Sequence, residues 1–314
     1  MNFTDKIKAE ILSKPIKETH CKKAFIAGLI RGSGVLYEKA GELGIEFKAP
    51  DEQTAMALTT TFMELYNYEI REVSVKEDRQ SKKDKFYLSL SGQQAVDILL
   101  DLGILLIDND EVAVDLQFFG EITKKECCVK AFIRGLFVAS GRCTLPNEKD
   151  SSSTSYHLEI NFSHHAPALE TSSKLAEFGV LTKIVPRRDG YIVYIKSAEE
   201  IKDFLAFLPA PLSVLKITDL MVNREFANNI NRQKNCDLGN VNKQVEASAK
   251  QIEAINKINQ TIGLKGLKPD LAQTAEYRIK YPDDTLNELA ERLKISKSCL
   301  NHRLRKLIVI AKEL

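Results

Sequence analysis

One ten-residue pattern occurs twice in this chain, 107 positions apart: Phe25-Ile26-Ala27-Gly28-Leu29-Ile30-Arg31-Gly32-Ser33-Gly34 and Phe132-Ile133-Arg134-Gly135-Leu136-Phe137-Val138-Ala139-Ser140-Gly141. Each reads as an apolar helix with small residues on one side, Ala27 and Gly28 in the first copy and Gly135 and Ala139 in the second. Two such helices can approach each other closely. Gly32, Gly34 and Gly141 are expected to end the helices where the backbone needs positive φ or a tight turn. A single helix of this kind is ordinary core. Two copies at matching places in two similar halves demand a duplicated architecture.

The rest of each half repeats as well. After the first pattern, alternating runs predict strands near 34–38 and 43–48, with Leu43, Ile45 and Phe47 on one face. An amphipathic helix near 52–66 follows, then strands near 69–75 and 85–90 and a helix near 92–101. The second half predicts strands near 141–145 and 155–162, where Tyr156, Leu158, Ile160 and Phe162 alternate with His157, Glu159 and Asn161. A helix near 165–178, a hairpin over 181–196 turning at Arg188-Asp189-Gly190 and a helix near 198–207 complete it. The order is α-β-β-α-β-β-α, twice.

Both ten-residue patterns resemble the motif of the LAGLIDADG homing endonucleases. That resemblance implies two motif helices packed at a pseudo-twofold interface beneath a saddle of strands that straddles duplex DNA. In that family the eighth position of each motif is an acid that holds the metals for cleavage; here it is Ser33 and Ser140. Mg²⁺ requires anionic oxygens, which a neutral hydroxyl does not supply. The scaffold is expected without its chemistry: no enzyme, no catalytic residue, no metal and no cofactor.

Whether the saddle still binds DNA stays open at this level. Its outward positions, Glu46, Lys48, His157 and Glu159, are mixed in charge. The loop Lys76–Lys85 and the Arg187-Arg188 turn suit phosphates, yet charged hairpin tips are commonly just solvated. His164-His165 suggests a metal, but adjacent side chains diverge.

The 314 residues and 44% hydrophobic content suit two domains. The six cysteines form no C-x-x-C pair and no Cys/His cluster at zinc spacing, so they read as reduced thiols of a cytoplasmic protein. A polar N-terminus and short apolar runs predict no membrane segment. The net charge of +2 hides an asymmetry: residues 1–220 carry 28 basic and 32 acidic side chains, residues 221–262 carry 6 and 4, and residues 263–314 carry 11 and 7. No acid lies between Glu291 and Glu313, a block that suits a polyanion or a solvated helix face.

That block coincides with a helix-turn-helix pattern. Leu286–Leu293 is a short amphipathic helix introduced by Asp283-Asp284-Thr285, and Ser296 caps a second helix through Ile310. Ala290 stands where the two helices touch, and Leu289, Leu293, Ile295 and Leu300 take core positions. The usual turn glycine is Lys294, at a cost of roughly 1–2 kcal/mol if the backbone there is left-handed. A supporting helix is expected near 270–280. In a major groove, Ser298, Asn301, His302 and Arg305 would reach base edges. Ser296 and Lys297 would meet a phosphate, and Arg303 and Lys306 would hold the backbone.

Between the modules, Asn223, Asn228, Asn229, Asn231, Asn235, Asn240 and Asn242 crowd together with Arg224 and Arg232. They read either as helix caps in a polar linker or as extra phosphate contacts. The degenerate halves, the Asn223-Arg224, Asn231-Arg232 and Asn235-Cys236 pairs, and the stretch from Ser296 to Leu307 together resemble the WhiA family over essentially the whole chain. Those bacterial proteins act in sporulation, cell division or chromosome segregation. The resemblance implies an α+β pseudo-twofold LAGLIDADG-type domain, (αββαββα)x2, over 1–218 with halves at about 1–105 and 120–218. An Asn-rich linker and helix over 219–262 and an all-α helix-turn-helix domain over 263–314 follow. The implied function is that of a non-cleaving, sequence-specific regulator of transcription that binds double-stranded DNA at the nucleoid. A scaffold that binds a protein partner through the former nuclease domain, or an active endonuclease, are the alternatives.

Overall fold

The computed structural model describes residues 2–49, 51–70, 72–77, 84–146 and 155–314. The chain divides into two compact units, Met1–Val222 and Asn223–Leu314.

In the first unit, α1 (Phe3–Ser13) precedes the first motif helix α2 (Thr19–Ser33). Next come β1 (Val35–Lys39), β2 (Glu42–Ala49), α3 (Glu52–Tyr66), β3 (Glu72–Glu77), β4 (Asp84–Ser91) and α4 (Gln93–Asp101). A small hairpin, β5 (Leu105–Asp108) and β6 (Glu111–Val114), leads to the second motif helix α5 (Glu126–Ser140). The second half then repeats with β7 (Gly141–Thr144), β8 (His157–Phe162), α6 (His165–Glu177), β9 (Lys183–Arg187), β10 (Gly190–Ile195) and α7 (Ala198–Phe207). Each half carries one antiparallel sheet of the same topology, β1-β2-β4-β3 and β7-β8-β10-β9. The α+β fold with its twofold repeat is the one expected. The sequence reading missed α1 and the β5–β6 hairpin, which lie outside the repeat.

The inner sheet faces follow the alternation. Ile45 pairs with Leu90 and Phe47 with Leu88 in one sheet, Leu158 with Ile195 and Ile160 with Val193 in the other, and all eight are buried. These faces close over α2 and α5, which pack backbone to backbone. A Cβ added at Gly28 would stand 2.0 Å from the Phe132 carbonyl oxygen, and one at Gly135 2.0 Å from that of Phe25. Of the expected alternatives, positive φ or a tight turn, positive φ is found at none of Gly32, Gly34 and Gly141, and Gly32 lies inside α2. Gly34 and Gly141 are extended, at φ −74° and −78°, and what they require is space: a Cβ would strike the Ile30 carbonyl at one and the Phe137 ring at the other.

A 51-residue helix, α8 (Pro211–Thr261), begins in the first unit and ends in the second. The asparagine-rich stretch lies inside this helix, so its amides are not caps between shorter helices. Asparagine is a poor helix former, but Ile217 is buried in one core, with Val214 and Met221 packed against it, and Ile255 and Ile258 are buried in the other. Helix propagates readily between such anchored ends.

The second unit adds α9 (Pro269–Lys280), α10 (Leu286–Arg292) and α11 (Lys297–Glu313). Leu271, Ala275, Leu289, Ala290, Leu300, Leu304 and Leu307 share a core with the last turns of α8. Buried Arg278 ties this unit together through polar bonds. Its Nε donates to Gln251 Oε1 on α8 at 2.8 Å, and its Nη1 donates to the Asp284 carbonyl before α10 at 2.8 Å. Burial pulls its pKa below the usual arginine range, against the pull of Asp284.

Candidate functional site

The C-terminal ends of the two motif helices carry serines with matching bonds. Ser33 Oγ donates to the Leu29 carbonyl at 3.1 Å and accepts from the Lys48 amide at 3.1 Å. Ser140 Oγ donates to the Leu136 carbonyl at 3.2 Å. Gly32, Ser140, Asn161, Arg187, Arg188 and Tyr191 line one cleft here, which brings the Arg187-Arg188 turn beside Ser140.

The strand face is less open to a ligand than its sequence implies. His157 Nε2 and Glu159 Oε2 pair at 2.9 Å, and the His157 ring stacks on Tyr194. Lys8 of α1 stands near Lys48 and Arg142. Burial first, and then those two cations, push its ammonium down to about 8. Of the Lys76–Lys85 loop, residues 78–83 lie outside the described residues. His165 sets its ring edge against Tyr191, with centroids 5.0 Å apart, which is a packing contact.

In the second unit the helix-turn-helix is built by local chemistry. Thr285 and Glu288 form a reciprocal capping box at the start of α10. The Lys294 amide bonds to the Glu291 carbonyl and the Ile295 amide to that of Ala290, so the turn closes as a Schellman motif with Lys294 at φ +52°. The turn position is therefore left-handed, in a residue with a Cβ. Lys294→Gly is expected to raise the stability of this unit by about 1 kcal/mol. The urea midpoint of the variant measures it, and an unchanged or lower midpoint would contradict the strain.

Ser296 caps α11, accepting from the Cys299 amide at 3.2 Å. Lys297, Ser298, His302, Arg305 and Lys306 are exposed, and Asn301 is half-buried. Leu300, Leu304 and Leu307 fix the opposite side in the core, so Ser298, Asn301, His302 and Arg305 fall on one outward face. Arg303 departs from this group. It turns toward α9, where its Nη1 donates to the Asp270 carbonyl at 3.4 Å and its Nε lies 3.6 Å from Asp270 Oδ2. Arg292 lies over the Tyr281 ring, 4.1 Å from its centroid, and bonds Asp284 Oδ2 at 2.5 Å. Nothing in the local sequence pattern signals the buttresses at Arg292 and Arg278, because each depends on partners brought together by tertiary packing.

Sequence reasoning also missed a cluster. His20, Cys21, Cys127 and Cys128 bring four potential ligand atoms within 4.8 Å of one another, although no stretch of the chain has zinc-site spacing. No helix among the described residues is long and apolar enough to cross a membrane.

Comparison with known proteins places three family descriptions along the chain. Residues 19–105 match the WhiA N-terminal LAGLIDADG-like domain, residues 129–227 the WhiA LAGLIDADG-like domain and residues 230–311 the WhiA C-terminal HTH domain. The chain is 33% identical to the probable cell division protein WhiA of Caldicellulosiruptor saccharolyticus, over 100% of this chain and 96% of that protein. It is 34% identical to the protein so described in Bacillus subtilis, over 100% and 97%. The crystal structure of full-length DUF199/WhiA from Thermatoga maritima has the same fold, with a TM-score of 0.59 at 22% identity, over 100% of this chain and 99% of that one.

Proposed function

The chain belongs to the WhiA family, and from that premise we propose that it is a non-cleaving, sequence-directed DNA-binding regulator of cell division, acting at the nucleoid. The observation that carries this reading is the outward face of α11, which is capped by Ser296 and flanked by exposed Lys297 and Lys306. Asn301 and Arg305 suit adenine and guanine edges, and Ser298 and His302 complete the face. Ser296, Lys297 and Lys306 meet phosphates and set the register. Arg303 serves as the buttress to Asp270 and as a weaker phosphate contact.

By function the chain divides into a non-cleaving domain over 1–218, a connecting helix over 219–262 and a reader over 263–314. A binding fragment has to extend beyond 263–314 to include the last turns of α8, as residues 223–314 do, because Ile255 and Ile258 belong to the reader's core. The absence of acids at Ser33 and Ser140 supports a protein that does not cut.

Affinity for duplex DNA measured against salt tests the reading. The full chain and residues 223–314 should both bind with a steep negative slope, and residues 1–222 weakly or not at all. Arg305→Ala should lose about 10- to 100-fold on the preferred site and little on random duplex. Lys306→Ala should weaken all sequences alike and reduce the slope by about one unit. Neither Mg²⁺ nor Mn²⁺ should produce nicking. Equal, steep slopes from residues 1–222 would move the DNA contact to the strand saddle, and incision of a supercoiled plasmid would overturn the non-cleaving reading.

A further inference from the structure

We infer that His20, Cys21, Cys127 and Cys128 form a Cys₃His site for one Zn²⁺ ion, which staples the N-terminal ends of the two motif helices. The four residues stand in the first turns of α2 and α5. His20 and Cys127 are 107 positions apart, and so are Cys21 and Cys128, the same offset that relates the two motifs. The cluster is therefore itself pseudo-twofold, one adjacent pair from each helix.

Neighbouring residues on a helix diverge by about 100°, so one pair alone cannot enclose an ion. That is why His164 and His165 carry nothing. Here a second pair faces the first across the interface. Gly28 and Gly135 hold the helices at backbone contact, and their N-terminal turns consequently meet.

The distances fit a small tetrahedral ion. His20 Nδ1 lies 3.2 Å from Cys21 Sγ and 3.3 Å from Cys128 Sγ, and all four ligand atoms fall within 4.8 Å. Zinc bonds of about 2.3 Å to sulfur and 2.0–2.1 Å to nitrogen give tetrahedral edges of roughly 3.5–3.8 Å, so the side chains need shift by less than about 1 Å. Soft thiolates with one imidazole select zinc over the hard cations that a phosphodiesterase uses. Cys21 and Cys128 are buried, His20 is half-buried and Cys127 is exposed, which leaves an entry path.

The charge balance also fits. Zn²⁺ displaces three thiol protons to solvent and takes a lone pair from neutral imidazole, leaving a complex of net charge −1 with no change of oxidation state. That anion sits at the positive ends of two helix dipoles. The ion would lie about 18 Å along α2 from Ser33, at 1.5 Å rise per residue. The site is thus distinct from the position of the former catalytic acids.

The test uses the full chain, purified reduced and without chelator. Elemental analysis should find about one zinc ion per chain. Cys127→Ser, which alters an exposed ligand and leaves the buried ones intact, should lose the ion on gel filtration, while Cys236→Ser and Cys299→Ser should keep it. Metal-stripped protein titrated with Co²⁺ should develop thiolate charge-transfer and tetrahedral d–d absorption, which Zn²⁺ bleaches. Zn²⁺ should also raise its melting temperature by several degrees. Stripped protein that shows no such absorption and stays below about a tenth of an equivalent of zinc overturns the site. Metal lost equally from Cys236→Ser, or a non-reduced mass lighter by two hydrogens with no zinc uptake, overturns it too.

Discussion

Gly28→Ala and Gly135→Ala are each expected to destabilise the first unit by about 3 kcal/mol, toward the upper end of what overpacking does. The added methyl at Gly28 would stand 2.0 Å from the Phe132 carbonyl oxygen and 2.8 Å from its carbon, and the one at Gly135 2.0 Å and 3.0 Å from the same atoms of Phe25. These are main-chain atoms inside helices, so no rotamer change relieves the contact. The helices must part, and parting loosens Ile26, Leu29, Ile30, Ile133, Leu136 and Phe137 along the whole seam. Because either methyl alone forces the separation, the double variant should cost less than the sum. Gly239→Ala is the matched control: a Cβ there meets nothing within 4 Å, and alanine is the better helix former by about 0.5–1 kcal/mol. Urea unfolding of the three variants decides it. A Gly135→Ala midpoint equal to that of wild type would mean that the helices do not meet there.

Arg278→Ala is expected to cost the second unit about 3 kcal/mol. The side chain is 1% exposed, and its truncation leaves both a cavity and unpaired acceptors at Gln251 and the Asp284 carbonyl. The Asp284 side chain also receives Arg292, and Ser248 Oγ donates to the Pro282 carbonyl at 2.7 Å, so the same substitution loosens the turn that places α10. Arg278→Lys should not rescue it, since one ammonium cannot make both bonds in the planar geometry of a guanidinium. A melt of Arg278→Ala coincident with wild type would show that the loop is held by other contacts.

What the sequence disclosed and what it hid divide along one physical line. Period-two alternation at Leu158, Ile160 and Phe162 and the small-residue seam at Gly28 and Gly135 are local signals of burial, so the repeat, the sheets and the helix pair could be read directly. Lys294 was readable for the same reason: the turn needs a left-handed residue, whichever side chain occupies it. Contacts between distant positions leave no such trace. His20 reaches Cys128 across 108 residues, Arg278 reaches Gln251 across 27, and Arg303 turns to Asp270 across 33. Helix α8 was hidden differently, because its asparagines look like punctuation and are overruled by burial at both ends.

The serine hydroxyls at the ends of α2 and α5 occupy positions that disfavour a carboxylate. Each donates a proton to the carbonyl one turn before it, which a carboxylate cannot do. An aspartate at either place would instead face that carbonyl oxygen and stand at the negative end of its helix dipole, an unfavourable position worth about 0.3–1 kcal/mol on each helix. Replacing either serine by aspartate is therefore expected to lower stability. The demand for a stable fold is by itself enough to disfavour an acid at either position.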